Sequence, residues 1–370
     1  MKQFLQKGKL IIIQLTIILL ISFSLGEISL RIYHHFNPAF IFYSNSYNRY
    51  RGKPYADDWD FKLNSRGFKD KEFTEKKEHT YRIIGIGDSF AFGVVPYRYN
   101  YLTLLESQLL RDNINGEVLN MGIPSIGPKE YLSLFVNEGI ALKPDMLLLT
   151  FYIGNDFTDC FERKRDLYSY SYVASLINYL INLSRYEGNV INSSGVYYDD
   201  QQTFDKKTYL HLMEKRSFIF LEGNESFMKL LNSAVYYLSI INDICKNKNI
   251  VFIVVVAPDE LQINCSLQSA VIEAFYPNLN RGKWNITLPN KMLTDRLDKL
   301  GIKYIDLYPF FREKSPERLY RPKDTHWNIA GNQLAANIIE EHILSYVREL
   351  STKYRSRDGA QDLGGNNAVQ

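Results

Sequence analysis

The stretch Tyr81-Arg-Ile-Ile-Gly-Ile-Gly-Asp-Ser-Phe90 is a short apolar run that stops abruptly at Gly87, Asp88 and Ser89. Apolar residues, then glycines, then a polar nucleophile candidate describe a buried strand that ends at the edge of its sheet. Downstream, Asn100 to Arg111 carries leucines at 102, 104, 105, 109 and 110 and reads as an amphipathic helix. The unit is therefore strand, tight glycine turn, loop, helix. In open α/β sheets the carboxyl ends of the strands border the ligand crevice, which puts Ser89 where chemistry is done. Gly85 and Gly87 also begin a dinucleotide-binding pattern, but its third glycine would fall at Phe90. A serine in an ordinary polar turn is the plain alternative.

Two further stretches repeat the design. Val118-Leu-Asn-Met-Gly-Ile-Pro-Ser-Ile-Gly127 gives a short strand ending near Asn120, then a winding loop forced by Gly122, Pro124 and Gly127, then a helix from Glu130 to Ala141. Pro144 to Asp156 is an apolar run that ends in Gly154, Asn155 and Asp156. Ile250 to Ala257 reads as a fully buried strand stopped by Pro258, with the amphipathic helix Met228–Lys246 before it. A helix over Asn290–Leu300 and a strand over Lys303–Leu307 follow. Strands alternating with helices predict a three-layer α/β/α fold around a parallel sheet of about five strands.

The amino terminus points to a membrane. Leu10 to Gly26 is apolar apart from Gln14, Thr16, Ser22 and Ser24, and it follows Lys2, Lys7 and Lys9. Its seventeen residues reach the short end of the roughly 17–25 that a membrane-spanning helix needs. No small-x-small cleavage site stands near Ser22 to Glu27, which favours an uncleaved anchor over a signal peptide. The lysines before the span should stay cytoplasmic, so the chain after about residue 30 is expected to be extracytoplasmic.

The expected layout is an anchor over 1–30, a spacer packing on the domain over 31–79, a catalytic domain over 80–350 and a disordered tail over 351–370. Within the spacer, Lys69 to His79 reads as a charged surface loop. Between about 160 and 227 the core periodicity fades into tyrosines, serines and charge, as in an insertion that covers a crevice. A net charge of +3 with both signs interspersed has no nucleic-acid footprint. Cysteines stand only at 160, 245 and 265, which excludes a cysteine zinc cluster. The 27 tyrosines suit a surface that binds sugars or lies near a membrane.

The last informative stretch is Asp324-Thr-His-Trp-Asn-Ile-Ala-Gly331, leading into a helix that runs to about Leu350. Of six histidines, His326 alone has a carboxylate two residues before it at the mouth of a helix. The plain alternative makes Asp324 or Asn328 a helix cap and His326 a surface residue.

Taken together these blocks resemble the SGNH (GDSL-type) hydrolase superfamily over residues 80–345. Gly87-Asp-Ser89 is similar to its nucleophile block, Asn120 to Gly127 to its second block, Gly154-Asn-Asp156 to its third and Asp324-x-His326 to its last. Asp-Thr-His-Trp resembles the variant of the alginate O-acetyltransferase-like branch, with Asp two rather than three positions before His. One departure stands in the second block, where Ser125 occupies the place of the glycine that donates to the oxyanion.

The chemistry agrees with that resemblance. A serine hydroxyl needs an adjacent base, for which His326 is the candidate, and Asp324 would hold the imidazole's tautomer and stabilise its cation. The oxyanion donors would be the backbone N–H groups of Ser89, Gly122 and Ser125 and the side-chain amide of Asn155. No metal or organic cofactor is required. The expectation is a membrane-anchored esterase or O-acyltransferase acting on a cell-surface glycan, with a multi-span acyltransferase as a candidate partner. A lipid or lysophospholipid esterase is the second reading, and a degenerate glycan-binding module the third.

Overall fold

The computed structural model describes residues 2–36, 47, 51–159, 170–181, 196–314 and 319–364. They fall into two compact units, one of Met1–Arg51 with Arg163–Ile191, the other of Gly52–Glu162 with Asn192–Gln370. In the first unit a single helix runs over Lys2–Phe36, longer than the expected anchor, and its Gln6–Tyr33 segment is long and apolar enough to cross a bilayer. Near the end of that segment the Glu27 carboxylate accepts the N–H groups of Tyr172 and Val173, at 3.0 and 3.1 Å. Glu27 thereby caps the apolar helix Tyr172–Ile181, whose first-turn donors have no partner within their own helix.

Among the described residues of the second unit the strands are β1 (Asp57–Asp58), β2 (Phe61–Lys62), β3 (Tyr81–Ile86), β4 (Gly116–Asn120), β5 (Met146–Tyr152), β6 (Val251–Ala257) and β7 (Lys303–Asp306). The short pair β1 and β2 is an antiparallel hairpin. The others form a parallel sheet in the order β4-β3-β5-β6-β7. Strands covered on both faces are near-continuous apolar runs, and β3 and β5 are buried at every residue, with Arg82 and Thr150 the polar exceptions.

The pleat divides the strand side chains between two cores. Tyr81, Ile83, Met146, Leu148, Ile253 and Val255 pack with the helices Tyr101–Arg111 and Ile329–Gly364. On the opposite face Phe151 meets Phe157 at 4.9 Å and Phe157 meets Phe227 at 5.1 Å, beside the long helix Glu225–Asn247. Because β3 is the first strand of the parallel sheet in chain order but lies between β4 and β5, the strands that follow it are laid down on both of its sides. That change of side opens a crevice at the carboxyl end of β3, where Ser89 begins a helical turn to Phe92.

Three segments differ from expectation. Lys69 and Asp70 are buried, not part of a surface loop. The final helix continues to Gly364, beyond the Leu350 expected for its end and into the segment expected to be disordered. In the insertion, 196–227 belongs to the second unit and carries the helix Lys206–Ser217, while 160–169 and 182–195 lie outside the described residues.

Candidate active site

The strand β3 runs straight into the site. Asp88 is wholly buried, and its carboxylate accepts the Phe90 N–H at 2.8 Å, capping the turn that Ser89 opens. Burial pushes the Asp88 carboxyl up to about 6, against the Phe90 N–H and the nearby His326. Two asparagines hold the turn from outside. Asn100 Nδ2 donates to the carbonyls of Ala91 and Phe92 at 3.0 and 2.9 Å, and Asn120 Nδ2 donates to Ala91 O at 2.9 Å.

The chain returns to this point in a tight hairpin. Tyr320 and Trp327 pair across it, Arg321 N donates to His326 O at 3.0 Å, and Asn328 N donates to Leu319 O at 3.0 Å. The buried Trp327 ring is its anchor, edge-on to Phe90 at 4.9 Å and tilted against Phe311 at 5.1 Å. With Trp327 pinned, His326 faces Ser89. His326 Nε2 lies 2.8 Å from Ser89 Oγ, and His326 Nδ1 lies 2.6 Å from Asp324 Oδ1. If Nδ1 donates to the carboxylate, Nε2 keeps its lone pair for the serine hydroxyl. Ser89 and His326 line a small pocket with Phe90, Gly93, Val94 and Trp327.

Asp324 has more partners than its histidine. Its Oδ2 accepts the Thr203 hydroxyl and pairs with Arg321 Nη1 at 3.1 Å, and its Oδ1 also accepts the His326 N–H at 3.1 Å. Burial alone would raise this carboxyl, but His326, Thr203 and Arg321 outweigh it and hold the group well below the usual carboxylate range. Thr203 reaches Asp324 because the backbone at 203 and 204 donates to the carbonyls of Pro322 and Lys323. Nothing in the insertion's composition singles Thr203 out.

The residues expected to hold the oxyanion are arranged differently. Gly122 does not offer its N–H to the crevice, because that group donates to Asn120 Oδ1 at 2.9 Å. What the position requires is the absence of a side chain: a Cβ there would lie 2.1 Å from Phe92 N. The loop thus presses on the turn that carries Ser89. Ser125 keeps the backbone that a glycine would adopt, with φ of +60°, and it is exposed. Asn155 Nδ2 donates to Asp159 Oδ2 at 2.8 Å. The Asn155 side chain also interacts with the buried Asp88 carboxylate, so its amide is shared between two carboxylates. Asp156 is fully buried and supports β5, accepting from Tyr131 Oη at 2.8 Å and from Tyr152 N at 2.9 Å.

No protein-family model matches the chain, and no curated protein matches it. Solved structures do resemble it. They include an acetyl xylan esterase, 14% identical over 71% of this chain and 99% of that one, with a TM-score of 0.40. A lipase/acylhydrolase from Enterococcus faecalis is 14% identical over 74% and 96%, with a TM-score of 0.37. A variant of an acetyl-xylooligosaccharide esterase from Geobacillus is 12% identical over 74% and 96%, with a TM-score of 0.40.

Proposed function

We propose that this chain is a membrane-anchored acyl-ester enzyme of the SGNH type, working through a Ser89 acyl-enzyme on an acylated cell-surface glycan. The observation that carries the reading is the unbroken series Ser89 Oγ, His326 Nε2, His326 Nδ1, Asp324 Oδ1, with links of 2.8 and 2.6 Å. It stands where the order of the sheet opens a crevice.

The steps follow from that geometry. His326 Nε2 takes the proton as Ser89 Oγ attacks the acyl carbonyl, and Asp324, kept ionised, stabilises the imidazolium. Charge on the carbonyl oxygen is met by the Ser89 N–H, the side-chain amide of Asn155 and the N–H of Ser125, each such donor typically contributing ~3–4 kcal/mol. His326 then protonates the departing alkoxide. Water, or a second sugar hydroxyl activated by the same histidine, releases the acyl group, so esterase and transferase share every step but the last.

The anchor reading is supported by the apolar Gln6–Tyr33 segment, with Lys2, Lys7 and Lys9 at its leading end against Arg31 at the other, a balance that favours an extracytoplasmic site. A glycan substrate is supported by the Asp324-Thr-His-Trp327 block, which resembles the alginate O-acetyltransferase-like variant, and by the tyrosine-rich composition, since tyrosine faces suit sugar rings. The test is covalent labelling with a fluorophosphonate probe. Wild type should label, and Ser89→Ala and His326→Ala should not; equal labelling of Ser89→Ala would sink the reading.

A further inference from the structure

Lys69 is an uncommon residue to find wholly buried, and its surroundings explain what it does. The turn Asn64 to Phe68 delivers it inward: Asn64 Oδ1 accepts the N–H groups of Arg66 and Phe68, both at 3.0 Å, and Gly67 sits at φ of +76°. The ammonium has three hydrogens and three oxygen partners. It pairs with the buried Asp58 carboxylate and donates to Gly93 O at 2.8 Å and Val95 O at 2.5 Å. Trp59 and Phe92 close around it, with ring centroids at 4.8 and 5.2 Å. Burial lowers its proton affinity, and Asp58 opposes that shift.

The partners of Lys69 belong to the nucleophile's own wall. Gly93 N donates to Ser89 O at 2.9 Å, and Gly93 and Val94 line the pocket with Ser89 and His326. A trans peptide points its N–H opposite to its C=O. The chain has no cis bond among the described residues, so turning Gly93 O onto Lys69 turns the Val94 N–H to the other side. That N–H has no hydrogen-bond partner among the described residues, and Val94 is a pocket residue.

We infer that Lys69 is a positioning residue, whose buried ammonium clamps the 93–95 segment so that the Val94 N–H is presented to a substrate oxygen beside Ser89. The inference deepens the acyl-enzyme reading and rests on it for the identity of that oxygen, an ester or sugar oxygen. The clamp itself is a statement about the free protein. A buried cation is costly to desolvate even when paired, so space-filling alone would be served better by an apolar side chain.

The test separates positioning from plain support of the fold. Lys69→Met alone would strand the Asp58 carboxylate, so the deciding protein is the full-length double variant Asp58→Asn/Lys69→Met, in which neither charge is left unpaired. It should melt close to wild type while its kcat on p-nitrophenyl acetate falls about a hundredfold, the size expected when a reacting group is misplaced by roughly an ångström. Hydrogen exchange at residues 90–95 should be faster than in wild type, and this readout needs no turnover. A double variant with wild-type melting, wild-type kcat and unchanged exchange would overturn the clamp. If wild type turns over no ester and takes no probe, the acyl-enzyme reading fails instead, and the exchange comparison alone still decides whether Lys69 holds the wall.

Discussion

Two groups of loops approach the turn that carries Ser89, and they differ in how far their polar groups are committed. On the base side, Asp324 holds His326, Thr203 and Arg321 while His326 holds Ser89, so the order needed for proton transfer exists before any substrate arrives. On the oxyanion side the groups are bound to neighbours: Gly122 to Asn120, and Asn155 to Asp159. The base side is a hairpin closed by its own backbone and anchored by Trp327, so its geometry is local. The oxyanion side gathers Ser125 from the loop after β4 and Asn155 from the loop after β5, so it depends on how two strand ends meet. A preassembled base should be intolerant of small chemical changes, whereas a shared oxyanion site should degrade by steps.

The largest effect is expected from Asp324→Asn. The amide would offer an N–H where the imidazole Nδ1–H must be accepted, favouring the wrong tautomer, and kcat should fall on the order of 10³- to 10⁴-fold at pH 7. Because neighbouring groups hold the carboxyl far down, wild type should show no loss of rate from Asp324 protonation anywhere above about pH 4. A loss below tenfold in kcat would mean that the base side is not the rigid partner in this comparison.

Next comes Asn155→Ala, which removes one donor and leaves Asp159 without its amide. A fall in kcat of about 10²- to 10³-fold, with KM nearly unchanged, is expected if the amide acts on the developing oxyanion. A rise in KM at constant kcat would assign Asn155 to substrate binding and leave the oxyanion to backbone donors.

A third expectation concerns stability and the support beneath the oxyanion side. Asp70 accepts the Asn120 N–H at 2.7 Å and the Tyr97 hydroxyl at 2.9 Å. Burial pushes its carboxyl up to about 7 despite those bonds. Its raised value means the folded state holds the proton more tightly than the unfolded chain. The contribution is therefore full below about pH 4 and is lost as pH rises through about 7. Glu260, raised to about 7, and Asp88, raised to about 6, act in the same direction. Melting temperature should fall between pH 5 and pH 8, and Asp70→Asn should flatten that slope. An unchanged slope would show that Asp70 is not titrating there.

The sequence made the sheet legible because its information is local. An apolar run that ends in glycine and a polar residue specifies a buried parallel strand and its crevice end at once, as at Ile86 to Ser89 and Ile153 to Asn155. Asp324 and His326 were legible for a similar reason, since both lie on one short hairpin. What stayed hidden depends on contacts across long separations. Thr203 meets Asp324 across 121 residues, and Lys69 meets Gly93 across 24, in a stretch whose charge reads as solvent-exposed. The composition of a charged segment cannot tell a solvated lysine from one whose three donors are all engaged inside. Gly122 misled in another way: the glycine pattern was right, but the residue is small for packing against Phe92 and its N–H is used by Asn120.

The smallest effect should come from Ser125→Gly, and it bears directly on how the oxyanion side is shared. The left-handed backbone at φ +60° costs a serine roughly 1 kcal/mol that a glycine avoids, while glycine gives up a similar amount through the greater freedom of the unfolded chain. The two terms nearly cancel, so melting should shift by only a degree or two. If residue 125 acts through its backbone N–H, the change leaves that donor in place and kcat should stay within about twofold of wild type. Ser125→Val at the same position should be far worse, because a β-branched residue is strongly disfavoured at positive φ and would turn the N–H away. Kinetics of both variants against Asn155→Ala give the ranking directly. Should Ser125→Gly cost more activity than Asn155→Ala, the serine side chain rather than its N–H is the working group, and the donors have to be reassigned.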